Sequence, residues 1–355
     1  MKKQLSISLN WGLLHGINDW IAGYLLMHYS LTNPGNDSFI ALILYVIFAF
    51  GGQLPLGILV DKLKKLKIFG QVSILLLILA TILSTQFIFL AILIAGVASA
   101  GIHVIGGTIC LQQSRNKITP LGIFTAPGVA GLALGGFCGT LPLHWIWLAM
   151  ALIFILFFHI SKKGWPAYIF KKEKLTNTPD THDAVMIILL FIMTLRSFIF
   201  DMVNQFSTQI EYGLLILGLS AFCGKIIGAV MADKIGWKNW LYISLPLAFI
   251  FFEIGRESVW ALGFGIACLQ SSVPLTLQLM YRCLPSFPAT ASAMSLGTVI
   301  ALAGLPMYNL PKIHFRFIQS ELFYTGLIIL SFSLLVYLFW KYIRTTGKHF
   351  VNSKK

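Results

Sequence analysis

The chain of 355 residues is 57% hydrophobic and only 11% charged, with a mean hydropathy of +0.83; a soluble globular chain carries roughly 25% charge, so a set of soluble domains is excluded. The 14% aromatic content excludes disorder, and five scattered cysteines, at positions 110, 138, 223, 268 and 283, exclude a disulfide framework. The net charge of +14 stands in short loops between apolar runs, which is the habit of basic residues held at one face of a bilayer and not of a nucleic-acid-binding surface.

A bilayer crossing takes about 20 largely apolar residues in a helix. Twelve such spans follow in chain order: 7–28, 38–60, 68–86, 88–111, 119–140, 142–160, 184–204, 211–232, 237–254, 258–281, 289–310 and 320–341. Residues 161–183 are polar, basic and contain proline, so they divide six spans from six. The reading is an all-α integral membrane protein. A first six-helix bundle covers 1–160, a cytoplasmic linker 161–183, a second bundle 184–345 and a cytoplasmic tail 346–355.

Lysine and arginine set the orientation. With both termini inside, all of the 26 face the cytoplasm except Arg256, Lys312 and Arg316 in outer loops and Arg196 and Lys225 within spans. Lys2 and Lys3 ahead of an apolar run also resemble a secretory leader. However, His15, Asn18 and Asp19 interrupt that run and no small-residue cleavage site follows, so the segment is expected to be a retained first helix.

The second and eighth spans end alike. GQLPLGILVDKLKKLK (52–67) and GKIIGAVMADKIGWK (224–238) both place small residues at the helix end, then Asp-Lys, then further basic residues. Gly57 and Gly228 let neighbouring helices approach. Asp61 and Asp233 can accept hydrogen bonds from an adjacent helix N-terminus, and Lys62 and Lys234 fall at headgroup level. Such a pair of latches would hold the cytoplasmic side closed. The repeated Gly-x-x-x-Asp-(Arg/Lys)-x-Gly-x-(Arg/Lys) pattern resembles the signature of the major facilitator superfamily. Lys64 stands in place of its second glycine in the first copy, and Ala229 in place of its leading glycine in the second. The resemblance implies two six-helix bundles rocking about a central cavity, and it covers nearly the whole chain. Span 1 (LLHGINDWIAGYLL) and spans 4–5 (AGIHVIGG, then GIFTAPGVAGLALGGFCG) further resemble exporters of the fosmidomycin-resistance type, with Val104 where that group has proline.

Ionisable groups in a bilayer are rare and functional by default. His15, Asn18 and Asp19 share one helical face, and Asp19 lies roughly 18 Å into span 1. It is either a proton-coupling carboxylate or a structural one capped by Asn18. Arg196 lies at about the same depth in span 7. Spans 1 and 7 are equivalent in the two repeats, and the resemblance places them across the cavity. Asp19 and Arg196 are therefore expected to approach, directly or through substrate. His103 on span 4 matches His15 in depth and is either part of the same polar patch or a hydrogen-bonded core residue. Asp201 and Gln205 follow at the outer end of span 7. Lys225 in span 8 either snorkels or lines the cavity. Gln270 opens a polar stretch in span 10 with a kink at Pro274.

The Gly-rich 127–139 stretch lacks the Gly-Lys-Ser/Thr ending of a nucleotide loop, and no acid, base and nucleophile stand at catalytic spacing. The expected function is secondary active transport of a small molecule, with a proton gradient as the drive and export favoured. Uptake of an organic anion or zwitterion, and a non-transporting membrane enzyme or lipid-handling protein, are the alternatives. No cofactor, metal or nucleic acid is called for, and the expected particle is a monomer in the inner membrane.

Overall fold

A segment surrounded by hydrocarbon must satisfy every backbone N–H and C=O within itself, and a helix does so. The computed structural model describes residues 2–163, 165–169, 181–207, 212–254 and 258–309 and contains no strand among them. The helices are α1 (Lys2–Thr32), α2 (Asn36–Leu63), α3 (Leu66–Leu83), α4 (Ile88–Gln113), α5 (Thr119–Cys138), α6 (Ile146–Lys163), α7 (Thr181–Ser207), α8 (Gly213–Ile235), α9 (Trp237–Ile254), α10 (Val259–Cys283) and α11, which starts at Pro288 and ends at Asn309. Eight of them, α2–α8 and α10, are long and apolar enough to cross a membrane. The predicted span at 320–341 lies outside the described residues. Large apolar side chains such as Ile155, Phe158, Ile187, Ile254 and Trp260 point outward, 63–70% exposed, which fits a lipid-facing belt.

Between lipid-embedded helices there is no water to expel, so close packing rests on small residues. The α1–α5 pair shows this along its whole length. A Cβ on Gly131 would strike the Gly16 carbonyl oxygen, and one on Gly135 the Trp20 carbonyl. Pro127 has no N–H to offer the Ile123 carbonyl one turn back, and α1 presses Gly12 against that carbonyl.

The two halves of the chain meet along two matching seams. The second helix of each half packs on the fifth of the other: α2 on α11, and α8 on α5. At the first seam a Cβ on Gly57 would lie 2.7 Å from the Ala289 carbonyl oxygen and 2.9 Å from Ala293 Cβ. At the second seam the small residues trade sides. Ala229 sits where the first copy has Gly57, and its methyl group lies over Gly122 of α5. Gly228 instead serves the α8–α10 contact, facing Ser271.

Three irregularities lie where helices line the interior. π turns interrupt α2 at Ile47–Gly51 and α11 at Met294–Thr298. α10 is broken outright at Ser271–Ser272, with Pro274 in the first turn of its second segment. The kink expected at Pro274 is thus a full break, because proline can begin a helix but removes a bond from its interior.

Candidate functional site

α1 presents His15, Asn18 and Asp19 one turn apart, and α4 brings His103 up to them. His15 Nε2 lies 2.9 Å from His103 Nε2 and 3.2 Å from Asp19 Oδ2, which is 3.8 Å from His103 Nε2. Both imidazoles are 4% exposed. Their other nitrogens are fixed. His15 Nδ1 is 3.0 Å from the Phe124 carbonyl of α5, and His103 Nδ1 is 2.8 Å from the Ser99 carbonyl. A carbonyl only accepts, so both Nδ1 atoms carry hydrogen and both Nε2 lone pairs turn toward each other and toward Asp19. The Asn18 amide donates to Asp19 Oδ1 at 2.7 Å and to Ser99 Oγ at 3.0 Å, and Tyr45 donates to the same Ser99 hydroxyl at 3.4 Å. The whole arrangement can hold one added positive charge at its centre. Gly128 makes it possible, since a Cβ there would strike His15 Nε2 and lie 2.7 Å from Asp19 Oδ2.

Arg196 comes from α7 and is 6% exposed. Its Nη1 donates to Thr276 Oγ1 at 2.8 Å and to Ser272 Oγ at 3.4 Å, at the break in α10, while its buried Nε has no partner among the described residues. The direct Asp19–Arg196 ion pair envisaged from the sequence is not formed. The two histidines occupy Asp19, and two hydroxyls occupy Arg196. Both residues nevertheless line one cavity of about 390 Å³, together with His15, His103, Asp201, Lys225 and Gln270. Lys225 does not reach for the surface. Its Nζ donates to the Thr125 carbonyl at 3.3 Å, across the α5–α8 seam. Gln205 falls on α7, with its side chain outside the described residues.

Two latches of the same design join the halves. Asp61, at the end of α2, accepts from the Ala289 N–H (2.9 Å), the Thr290 N–H (2.7 Å) and the Thr290 hydroxyl (2.7 Å), at the start of α11. Asp233, at the end of α8, accepts from the Ile118 N–H (2.9 Å), the Thr119 N–H (2.9 Å) and the Thr119 hydroxyl (2.6 Å), at the start of α5. Each carboxylate meets the positive end of a helix and satisfies N–H groups that have no partner within it. Lys62 and Lys234 are exposed beside the latches. The first latch has one donor more. Tyr168, in the polar segment between the halves, donates to Asp61 Oδ1 at 2.7 Å. Burial, then the Asp61 carboxylate, raises its phenol above the ordinary value, so it stays a donor. Trp165 anchors the same segment edge-on to Trp11, with ring centroids 5.5 Å apart.

Sequence reasoning did not find Thr119, Thr290, Ser99, Tyr45 or Tyr168. The threonines had a signal: each stands next to or near a proline at a helix start, Thr119-Pro120 and Pro288-Ala289-Thr290.

No family model matches the sequence, and no curated protein is similar to it. The fold does have solved counterparts. The E. coli fucose:proton symporter FucP superposes with a TM-score of 0.69 at 9% identity, covering 95% of this chain and 98% of that one. FucP in its outward conformation, described as a major facilitator superfamily transporter, gives 0.67 at 12%, covering 95% and 97%. The human organic anion transporter MFSD10 gives 0.52 at 12%, covering 94% and 97%. The fold is therefore that of major facilitator transporters, and these counterparts are transporters rather than enzymes.

Proposed function

We propose that the protein is a secondary transporter that moves a small molecule by alternating access, coupled to protons, with export as its direction. Residues 1–160 and 184–345 are the two bundles that rock, the termini are cytoplasmic, and the latches at Asp61 and Asp233 close the cytoplasmic side. One observation carries the reading: a buried His15–Asp19–His103 cluster and two cationic side chains, Arg196 and Lys225, share a cavity between the halves, which inter-half hydrogen bonds join. A buried carboxylate–imidazole cluster that can take up and release a proton is the element such coupling requires. Arg196 lines the cavity, so its guanidinium can meet an acidic group on the substrate. The cavity volume of about 390 Å³ suits a small metabolite.

Counterparts include a proton symporter and an organic anion transporter, which fits proton coupling and an anionic or zwitterionic substrate. The symporter also favours a second reading, uptake with protons by the same site. Vesicles reconstituted with the purified chain test both. An imposed pH gradient should drive movement of an organic anion, and Asp19→Asn should abolish the dependence on that gradient. Export and uptake differ in which gradient polarity drives accumulation. If Asp19→Asn transports with unchanged pH dependence, the coupling assignment is wrong.

A further inference from the structure

We propose that His15, His103 and Asp19 form a binding site for one divalent transition-metal ion of the zinc class, opening onto the cavity. This deepens the transport reading by naming a second occupant of the same cluster, and the metal claim stands or falls by itself.

The three donor atoms form a triangle with edges of 2.9, 3.2 and 3.8 Å, and they have been brought together from two different helices. Bonds of about 2.0–2.2 Å to nitrogen and oxygen place neighbouring donors about 2.9 Å apart in octahedral geometry and about 3.4 Å apart in tetrahedral geometry. The triangle spans that range, so small shifts would seat an ion. Two imidazoles with one carboxylate suit zinc, cobalt, nickel or ferrous iron, whereas calcium and magnesium call for oxygen donors.

Each donor is also oriented from behind, as ligands of such ions are. The Phe124 and Ser99 carbonyls hold the two Nδ1–H groups, which leaves both Nε2 lone pairs facing inward. The Asn18 amide holds Asp19 Oδ1 and leaves Oδ2 for the centre. Three protein donors leave a further position on the cavity side, where the Asp19 side chain is 13% exposed against 5% for each histidine.

The test uses the purified, untagged full chain in detergent, titrated with Co²⁺ alone and then with Zn²⁺. One Co²⁺ per chain, with the visible absorption of a four- or five-coordinate nitrogen–oxygen site and displaced by Zn²⁺, is expected. His15→Gln and His103→Gln should each weaken uptake by at least about tenfold, while Cys223→Ser, which removes an exposed thiol, should leave it unchanged. A measurement on the unaltered chain guards against variants that misfold. Pulsed electron paramagnetic resonance of bound Cu²⁺ should count two coordinated imidazoles. Equal uptake by the unaltered chain and both histidine variants, or a count of one imidazole or none, overturns the site. That result leaves proton-coupled transport in vesicles untouched, so the two failures are distinguishable.

Discussion

Converting Asp61 to asparagine should open the latched side of the protein, as should the same change at Asp233. Asp61 receives four donors and Asp233 three, and in each case three of them come from the facing helix start. Asparagine keeps one oxygen. Turned toward the Thr290 N–H and hydroxyl, it leaves the Ala289 N–H facing an NH₂ group, while the Tyr168 hydroxyl turns to accept from that group. A hydrogen bond to a charged acceptor contributes about 1.5–3 kcal/mol, so losing the Ala289 bond destabilises the closed latch by at least about 1.5 kcal/mol. That is roughly a 12-fold change in the closed-to-open ratio. In Asp233→Asn the remaining oxygen can serve Thr119, and only the Ile118 N–H is orphaned, for a similar effect. Tyr168→Phe in the Asp61→Asn background should remove little more, because Tyr168 no longer meets a charged acceptor. Spin labels at the exposed positions Lys65 and Phe287, on a chain with its five cysteines replaced, would report the α2–α11 separation by pulsed dipolar spectroscopy. A distance distribution unchanged by Asp61→Asn would refute the claim that this carboxylate holds the side shut.

Gly128→Ala should disable transport while leaving the latches intact, since its methyl group enters the space of His15 Nε2 and Asp19 Oδ2; vesicle flux together with the Lys65–Phe287 distance would show the two effects separately. Lys64→Gly should raise the thermal midpoint in detergent, because Lys64 ends α2 with φ 57, a left-handed conformation that is unfavourable by roughly 1–2 kcal/mol for a residue with a Cβ. Gly236→Ala should lower that midpoint, by strain of about 1–3 kcal/mol at φ 90. Arg196→Lys should keep the charge yet reduce substrate affinity at least about tenfold, because an ammonium cannot offer the paired donors of the fork; binding measured with the transported anion checks this.

The sequence made the crossings legible because an apolar stretch of about 20 residues has few other fates, and all eleven described helices begin within five residues of the start of a predicted span. The largest difference is at α1, which extends back to Lys2. The latch carboxylates were legible too, since Asp-Lys recurs at the end of equivalent helices. Their partners were not, because nothing local says which helix start will lie opposite. The shared patch of His15 and His103 was one of two readings, reached by matching depth and not by any periodic signal, since a lone histidine on α4 carries none; their 2.9 Å contact was not legible. The π turns were illegible for a different reason: residues 47–51 and 294–298 read as ordinary apolar helix, and only packing across the α2–α11 seam selects the wider turn. There a Cβ on Gly297 would lie 2.6 Å from Gln53 and from the Phe50 carbonyl oxygen. Depth put Asp19 and Arg196 on one cavity but could not name their nearer partners, the two histidines and the two hydroxyls.

The latches and the buried cluster are not separate devices, because the same two helices serve both. α5 begins with Thr119, gripped by Asp233, and within two turns supplies the Phe124 carbonyl to His15 and the Thr125 carbonyl to Lys225. The interval is about 9 Å at 1.5 Å per residue. α11 has Thr290, gripped by Asp61, in its first turn, and at Ser292 donates to the carbonyl of His103 at 3.3 Å. A charge gained or lost at the cluster shifts side chains that are bonded to the first turns of the latched helices. The motion required at the latch is a break of hydrogen bonds at those same turns. On the transport reading proposed above, each bundle would link its half of the site to its half of the gate over about two turns of helix, without a long relay. The π turn in α11 begins at Met294, just past that contact, and Ser295 and Leu296 within it line the cavity. It therefore puts the compliant stretch of that helix beyond the lever, on the side where a substrate would press.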